Sequence, residues 1–420
     1  MRNLLFIFVL LLNISLAKGQ FKAYGKQMID SLCAPRYYGR GYVNNGDVKA
    51  AEFIERELRK NAISPLNEKY YQEYGFTVNS FPGAMNVSID GKKLIPGKEF
   101  LIEIYSTEIN GKFTIVKLGK ETLLNEKKLD KLQRSELSNK FVSIDYTEFT
   151  KSERKKLLEN IFYFKELAKG ILLITDSKLT WGSSQFYTTL PVITVNNIDY
   201  KGAKTIDVNI ENNYQDNHRA RNVFGYVPAN AKTDSIVVFT AHYDHLGMMG
   251  KENIFPGAND NASGTSMLLC LAKHFSLNPT KYNVLCIFFS GEEMGLLGSK
   301  YFVENPLIDL KKIKLLINLD LVGTGEEGVT VVNSVSNINV YERLVNINKS
   351  KSYLKEVKPR ANAENSDHYP FSKKNVPAIF IYALGGTQAY HDIYDKPETL
   401  PLTSYDNITK LIIDLVNSKF

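Results

Sequence analysis

Five short segments of the 420-residue chain carry histidine or carboxylate side chains where predicted strands end. The first, residues 241–245 (AHYDH), follows a strand predicted at 236–241. Residues two apart in an extended chain point to the same side, so His242 and Asp244 share a face. A metal-binding histidine commonly donates its second ring N–H to a carboxylate. We therefore predict that His242 binds a metal and Asp244 orients it, although a surface loop with a salt-bridged histidine also fits this segment alone.

The second segment, residues 257–264 (GANDNASG), surrounds Asp260 with small residues just before an apolar helix. Its single carboxylate can reach into a crevice and bridge two metals through its two oxygens. A helix cap is the alternative, since Asp, Asn and Ser are the preferred capping residues. For Ser263 the cap is the better interpretation.

The third segment, residues 289–295 (FSGEEMG), places two glutamates directly after an apolar strand. Charged side chains are rarely buried without a partner or a use. Neighbours in an extended chain point in different directions, so one glutamate can bind a metal while the other faces the substrate as a general base. A solvent-exposed acidic turn is the alternative.

The last two segments each offer one further ligand. Asp320, in 318–323 (NLDLVG), ends an apolar strand, where an unpaired buried carboxylate would be costly. A metal would remove that penalty, and so would an arginine or backbone donors. His391, in 389–395 (AYHDIYD), follows a strand predicted at 378–382. Of the other four histidines, we predict surface or structural positions for His218 and His274, and we keep His245 and His368 as possible substrate-side residues.

The elements that must position these side chains alternate regularly from residue 234 onward. Near-continuous apolar strands at 236–241, 283–289 and 314–320 are separated by amphipathic helices at 263–275 and 295–304. This alternation predicts an α/β fold with a doubly wound, mostly parallel sheet covered on both faces. The carboxyl ends of such strands form a crevice where ligands bind, so the five segments would converge there.

The rest of the chain supplies no cluster of metal-type residues. Residues from about 24 to 64 are expected to be helical at their centre, with Asp47 as a plausible cap, and strands follow from 68 to 90. An inserted β-rich module extends over 96–215. Residues 1–19 combine one positive charge, a short apolar run and small residues at the end, which is typical of a secretory signal. We therefore expect export to the periplasm or the medium, with no membrane span once the signal is removed.

Composition excludes several other classes of protein. The net charge of +7 is spread along the chain, and no basic block interleaved with aromatic residues indicates nucleic-acid binding. Three cysteines are too few for a disulfide scaffold; Cys270 and Cys286 are best explained as buried thiols, with a bridge between them the less favoured alternative. The sequence indicates no oligomeric state.

Together the five segments resemble the family of co-catalytic zinc exopeptidases, which includes secreted bacterial aminopeptidases, glutamate carboxypeptidase and glutaminyl cyclases. The likeness covers about 24–95 and 217–420, and 221–226 (RNVFGY) resembles the approach to the family's catalytic core. We therefore expect a discontinuous zinc peptidase domain at 20–95 and 216–420. The insert resembles, more weakly, the protease-associated domain of some members through 168–174 (AKGILLI) and 190–195 (LPVITV).

The resemblance implies two Zn²⁺ ions per chain and peptide substrates. Asp260 would bridge both metals, Glu293 and His391 would complete one site, and His242 and Asp320 the other. Glu292 would be the general base, and the peptide bond Asp260–Asn261 would be cis. The implied activity is that of an exported metallo-aminopeptidase, which removes amino-terminal residues from peptides.

The chain departs from the family pattern on the substrate side. Better-known members carry a tyrosine a few residues before a Ser-Asp-His segment as an oxyanion donor, but here 362–365 reads NAEN. His368, Tyr369 and Tyr390 are the candidates to replace it. A carboxypeptidase and a glutaminyl cyclase-like enzyme, which usually holds one zinc, remain alternatives on the same fold. A non-catalytic binding protein is disfavoured because every predicted ligand is present.

Overall fold

A computed structural model describes residues 20–129, 131–132, 137–161, 164 and 167–418. The predicted signal, residues 1–19, lies outside the described residues. Within these ranges no helix is both long and apolar enough to cross a bilayer. The strands, β1 to β18 in chain order, are Tyr71–Ser80, Met85–Ile89, Lys92–Lys93, Phe100–Ile102, Ile109–Lys117, Lys140–Asp145, Gly170–Ile174, Val192–Val195, Thr205–Ile210, Asn213–Val227, Ile236–His242, Met248–Met249, Asn253–Ile254, Asn283–Phe289, Ile313–Leu319, Gly328–Val332, Val357–Pro359 and Ala378–Leu384.

The helices surround these strands. In chain order α1 to α10 are Gln20–Leu32, Gly46–Lys60, Lys120–Leu123, Glu126–Leu129, Lys151–Ile161, Gly264–Leu277, Leu297–Glu304, Ile338–Lys351, His368–Ser372 and Tyr405–Asn417. Short 3₁₀ turns lie at Pro35–Arg40, Tyr146–Glu148, Ile198–Gly202 and Leu310–Lys312, and an irregular turn at Ala258–Ser263 precedes α6.

The first sheet has eight strands in the order β1-β10-β14-β11-β15-β18-β16-β17. The four strands β14-β11-β15-β18 run parallel, and antiparallel pairs flank them at β1-β10, β10-β14 and β18-β16. Strands β11 and β14 are buried at every position because helices cover both faces. The predicted α/β fold is therefore confirmed, with the parallel strands confined mainly to the centre of a mixed sheet.

Successive side chains along each strand of this sheet point to opposite faces and so enter two different cores. In β11, Val237 and Phe239 belong to the core covered by α1, α2, α6 and α10, while Val238 belongs to the opposite core, covered by α7 and α9. Cys286 of β14 and Cys270 of α6 are buried free thiols. A bridge between them is therefore absent.

The second sheet follows the order β3-β2-β9-β5-β6-β7-β8-β4. It includes Met85–Ile89, which lies within the segment 20–95 that was predicted to belong to the peptidase domain; in the structure this strand pairs antiparallel with β9. The alternating pattern of this strand showed which face is buried but not which sheet it joins. Residues 213–215, conversely, already belong to β10 of the first sheet. The boundaries 96–215 of the insert remain a prediction.

The two sheets share part of a hydrophobic core beside the predicted metal ligands. Trp181, from the connection after β7, packs its ring 4.8 Å from that of Phe255, which lies between β13 and the turn that carries Asp260. Leu246 and Met249 belong to the same cluster. The second sheet is thus packed directly against the part of the first that carries the candidate site.

Candidate metal centre

Three of the predicted ligand segments lie at the carboxyl ends of adjacent parallel strands. His242 is the last residue of β11, Glu292 and Glu293 follow β14, and Asp320 comes directly after β15. These ends meet at one edge of the sheet, which is where open α/β sheets form binding crevices. The sheet alone therefore brings these side chains into one crevice.

The carboxylate of Asp260 faces two histidines. Its Oδ1 lies 3.4 Å from His242 Nε2, and its Oδ2 lies 3.1 Å from His391 Nε2. The same two nitrogens are 3.5 Å from Asp320 Oδ1 and 3.2 Å from Glu293 Oε2, respectively. The structure thus brings all five predicted ligands together as two groups that share Asp260, which is the arrangement expected of a bridging carboxylate.

The backbone around Asp260 is held from two sides. The side chain of Asp395 accepts the N–H groups of Asn259 and Asp260 at 2.8–3.0 Å. The guanidinium of Arg40, fully buried, donates to four carbonyl oxygens, those of Tyr243, Pro256, Gly257 and Asp260. The peptide bond Asp260–Asn261 is cis, as the resemblance implied. Sequence reasoning gave no role to Arg40, which lies outside the five segments, or to Asp395, which lies in the fifth segment but was not predicted as a ligand.

Both His245 and His391 reach Glu293. His245 Nδ1 lies 2.7 Å from Glu293 Oε1, and its ring is fully buried behind that carboxylate. Single ligand atoms of His245, Asp260 and Glu293 also fall within 4.8 Å of one another. His391, in contrast, faces Asp260 and Glu293 with one nitrogen and lines the cleft. The geometry therefore favours His391 as the ligand, with His245 holding Glu293 from behind rather than facing substrate.

Asp244 supports the opposite group. His242 Nδ1 lies 3.2 Å from the Asp244 carbonyl and 3.7 Å from its carboxylate. That carboxylate also accepts the Tyr42 hydroxyl at 2.5 Å and the backbone N–H groups of Glu292 and Glu293 at 3.3 and 3.2 Å. Asp244 thus lies beside the histidine, with its backbone carbonyl nearer than the carboxylate that was predicted to orient the ring, and it fixes the turn that carries both glutamates.

Asp320 has a buried carboxylate oxygen that a cation would satisfy. Its Oδ2 accepts the Ser366 hydroxyl at 3.1 Å, and Ser366 in turn accepts from Asn318 at 2.8 Å. Its Oδ1 is buried without a hydrogen-bond partner among the described residues and faces His242. A metal ion would satisfy this oxygen, and imidazole nitrogen with carboxylate oxygen is a donor set that suits zinc.

The pKa values of the clustered side chains also favour a bound cation. Burial, together with the charges of Asp367 and Glu293, holds the pKa of Glu292 well above its ordinary value. Burial lowers the pKa of His242, but the charges of Glu292 and Asp320 outweigh it and raise the pKa well above the usual range. The crowded carboxylates therefore favour the protonated forms of Glu292 and His242. Cations bound between the carboxylates would relieve the repulsion between their negative charges.

The predicted ligands line a cleft of about 540 Å³. Tyr390, one of the three candidate oxyanion donors, lines it as well. His368 is fully buried against Phe380, and Tyr369 lies under the ammonium of Lys373, so neither of these two candidates contributes to the cleft. Both residues follow Ser366 closely in sequence, but the α9 turn directs their side chains away from the cleft. The described lining includes further residues that the sequence did not indicate: Leu296, Arg360, Phe380 and Tyr382.

The remaining histidines lie apart from this cleft. His218 is buried in β10, where its Nε2 lies 2.7 Å from Asp47. His274 lies near the end of α6 and packs edge-on against Phe21 and Phe275. Both have the structural positions that were predicted.

Comparison with known proteins adds independent information. Residues 222–416 match the sequence model described as Peptidase family M28. Aminopeptidase YwaD of Bacillus subtilis (strain 168) is 32% identical over 187 residues, which span 43% of this chain and 40% of that protein. A glutaminyl-peptide cyclotransferase of Drosophila melanogaster is 23% identical over 217 residues, 44% of this chain and 61% of that protein. The chain thus matches less than two thirds of the length of either relative.

A solved structure extends the likeness in fold to nearly the whole chain. The structure of BSAP, a zinc aminopeptidase from Bacillus subtilis, superposes with a TM-score of 0.69 at 21% identity. The superposition covers 94% of this chain and 95% of that one. Both sheets therefore belong to an architecture that is already known.

Proposed function

We propose that the protein is an exported zinc-dependent exopeptidase, and specifically an aminopeptidase, because residues 222–416 match the model described as Peptidase family M28. The observation that carries the proposal is the Asp260 carboxylate, whose two oxygens lie 3.4 and 3.1 Å from His242 and His391. A carboxylate shared between two histidine–carboxylate groups fits two metals. The name of the Bacillus subtilis relative, an aminopeptidase, favours the amino-terminal specificity.

Each zinc would have its own pair of ligands in addition to Asp260. Glu293 and His391 would hold one ion, and His242 and Asp320 the other. When bound, such a pair of ions would lower the pKa of water in the cleft and would polarise the scissile carbonyl. The chain's own task is then to hold the peptide against this centre and to move one proton.

Glu292 is the residue proposed to move that proton. It lines the cleft, and its Oε2 lies 4.0 Å from His242 Nε2, so it borders the metal ligands without belonging to either group. Its pKa is raised by burial and by Asp367 and Glu293, and a base with a raised pKa can return the proton it takes. Glu292 would take the proton from attacking water and deliver it to the leaving amine.

Tyr390 is the proposed oxyanion donor. Its ring stacks on His391 with centroids 4.0 Å apart, and burial together with Asp260 raises the pKa of its phenol, which stays protonated. We expect Tyr390→Phe to lower kcat about tenfold, because one net hydrogen bond of roughly 1.4 kcal/mol corresponds to that factor. Steady-state kinetics on an aminoacyl anilide with zinc-loaded protein would measure it. An unchanged kcat would remove Tyr390 from the proposal.

Zinc uptake should depend steeply on pH. Burial lowers the pKa of His391, but the charge of Glu293 and the contacts to Asp260 and Glu293 raise it to about 11 in the metal-free protein. Below that pKa the ring is protonated, and it must lose its proton to bind a metal. We therefore expect the apparent zinc affinity to rise about tenfold per pH unit between pH 6 and 8, measured by competition with a chelator of known affinity. An affinity that does not change over this range would contradict a ligand role for His391.

The decisive test of the function is digestion of a peptide library by the zinc-loaded protein, read by mass spectrometry. Loss of single residues from free amino ends, abolished by a chelator, supports an aminopeptidase. Loss from carboxyl ends instead identifies a carboxypeptidase. Zinc-loaded protein that cleaves no unblocked peptide overturns the proposal.

A glutaminyl cyclase-like activity is the second candidate, because a glutaminyl-peptide cyclotransferase is among the relatives. Elemental analysis separates the two. About two zinc ions per chain support hydrolysis, whereas one zinc with cyclisation of amino-terminal glutamine supports the alternative. Both predicted groups of ligands keep all their members, which favours two ions.

Export rests on the pattern of residues 1–19 alone. Fractionation of cells that express the full sequence would test it. Mature protein outside the cytoplasm, lacking about the first 19 residues, is the expected result. Uncleaved protein in the cytoplasm would contradict it.

A further inference from the structure

The segment 176–187, part of the connection between β7 and β8, lies against the loop that carries Tyr390 and His391. We propose that this segment belongs to the metal centre, because it fixes the position and the ring tautomer of His391. The proposal rests on the zinc site described above. It gives the second sheet a role in the proposed chemistry beyond covering the cleft.

Trp181 contacts His391 through two backbone groups. The Trp181 carbonyl lies 2.9 Å from His391 Nδ1, and the Trp181 N–H donates to the His391 carbonyl at 2.9 Å. A carbonyl oxygen can only accept, so the ring must carry its proton on Nδ1. In the neutral ring Nε2 then presents its lone pair to Asp260 and Glu293, as a metal ligand requires.

Trp181 is itself held by packing rather than by the loop. Its indole N–H donates to the carbonyl of Ile102 at 2.8 Å, and its ring is 7% exposed against Phe255. The carbonyl that orients His391 therefore belongs to a rigid element of the shared core. Rigid support of this kind is what a precise ligand geometry needs.

Lys178 ties the same loop at three points. Its ammonium donates to the carbonyl oxygens of Gln388 and Tyr390 at 2.8 and 3.2 Å and pairs with Asp392 at 2.5 Å. The carboxylate of Asp392 is only 3% exposed, although the lysine side chain is 44% exposed. The three donors of one ammonium thus reach residues on both sides of His391.

The loop has a conformation that needs such support. His391 has φ of +52°, in the left-handed region that non-glycine residues rarely adopt, and residues 387–394 form no regular helix or strand. Sparsely populated conformations persist only where surrounding contacts fix them. The contacts from Lys178 and Trp181 supply that constraint.

The same segment also contacts the loop that carries Glu293. Gln185 donates its side-chain N–H to the carbonyl of Met294 at 3.1 Å, and the Gln185 carbonyl accepts the Thr77 hydroxyl at 2.7 Å. Met294 directly follows Glu293. One segment of the second sheet therefore contacts both loops that supply ligands to the same proposed zinc.

The test compares Lys178→Ala with Lys178→Arg and with a matched control. Lys117→Ala removes a lysine of similar exposure, 45% against 44%, at the end of β5, where it pairs with Glu148 at 3.0 Å. We expect Lys178→Ala to weaken binding at one of the two zinc sites about tenfold to a hundredfold, the range seen when a residue supporting a ligand is lost. The other site should keep its affinity. Lys178→Arg should recover most of the loss, and Lys117→Ala should match wild type.

A spectroscopic measurement reports on His391 itself. In ¹⁵N histidine spectra of the zinc-loaded protein, assigned with His391→Gln, we expect a His391 ring protonated at Nδ1. Lys178→Ala should shift or broaden those two nitrogen signals, and Lys117→Ala should leave them unchanged. A kcat that falls in Lys178→Ala at an unchanged KM would agree with a misplaced ligand rather than with a lost substrate contact.

The outcomes separate this inference from the proposed function. If wild-type protein binds two zinc ions and Lys178→Ala loses affinity at one site, the inference stands even when no peptide is cleaved. If the wild type is an active peptidase but Lys178→Ala binds zinc and shows His391 signals like wild type, the inference is wrong and the function stands. Equal losses in Lys178→Ala and Lys117→Ala would show general destabilisation and would also overturn the inference.

Discussion

Glu292→Gln should lower kcat by about 10²- to 10⁴-fold while the protein still binds two zinc ions. A positioned general base contributes a factor of that size, and glutamine keeps the shape of the side chain but cannot take a proton. Glu292 lines the cleft, and its Oε2 lies 4.0 Å from His242 Nε2. The measurement is steady-state hydrolysis of an unblocked aminoacyl anilide, with zinc content determined on the same sample.

The adjacent residue provides the control. Glu293→Gln changes the same atoms one position along, but Glu293 Oε2 lies 3.2 Å from His391 Nε2 and its Oε1 lies 2.7 Å from His245. We expect that variant to lose zinc as well as activity. A Glu292→Gln protein that keeps a tenth or more of its activity, or that loses zinc as Glu293→Gln does, would contradict the separation of roles between the two glutamates.

Arg40→Met should destabilise the fold by about 3 kcal/mol or more and weaken zinc binding with it. The variant removes the donor that four carbonyl oxygens now share. The carbonyl of Gly257 keeps the Ala262 N–H as a donor, but each buried group left unsatisfied costs about 1–3 kcal/mol. One of these carbonyls belongs to Asp260, so the loss falls on the backbone that presents the shared carboxylate. Thermal unfolding of the metal-free protein and zinc competition are the two measurements.

Arg59→Met is the matched control, because Arg59 is 61% exposed and its partner Glu55 lies on the same helix. An exposed pair of this kind contributes little, so we expect a change below about 1 kcal/mol. Arg40→Lys should fall between the two variants, since an ammonium keeps the charge but cannot reproduce the planar fork. If Arg40→Met unfolds at the wild-type temperature with unchanged zinc affinity, Arg40 does not hold the Asp260 turn.

The sequence by itself determined the fold class and which residues the structure would bring together. His242, Asp320 and the two glutamates each end or follow a near-continuous apolar strand, and parallel strands align their carboxyl ends. Periodicity is a local property, so it could be read from the chain without knowledge of any partner. Chemistry-bearing side chains at strand ends are local as well, which is why these four residues could be named.

Only the tertiary structure decided what supports those side chains. Arg40 comes from the turn before α2, Asp395 from beyond the last strand, and Trp181 from the second sheet, yet all three act on the backbone of Asp260 or on His391. Their contacts join residues that are more than a hundred positions apart, and no local pattern records such a pairing. For the same reason, the alternating pattern predicted the strand Met85–Ile89 but not the sheet to which it belongs.

The substrate side shows the same limit most plainly. His368 and Tyr369 were candidates because they follow Ser366 in sequence, but α9 turns one into the core and the other away from the cleft. Tyr390 lines the cleft because the loop around His391 is held by Lys178 and Trp181. The sequence indicated which side chains could bind metal; long-range packing decided which of their neighbours line the cleft.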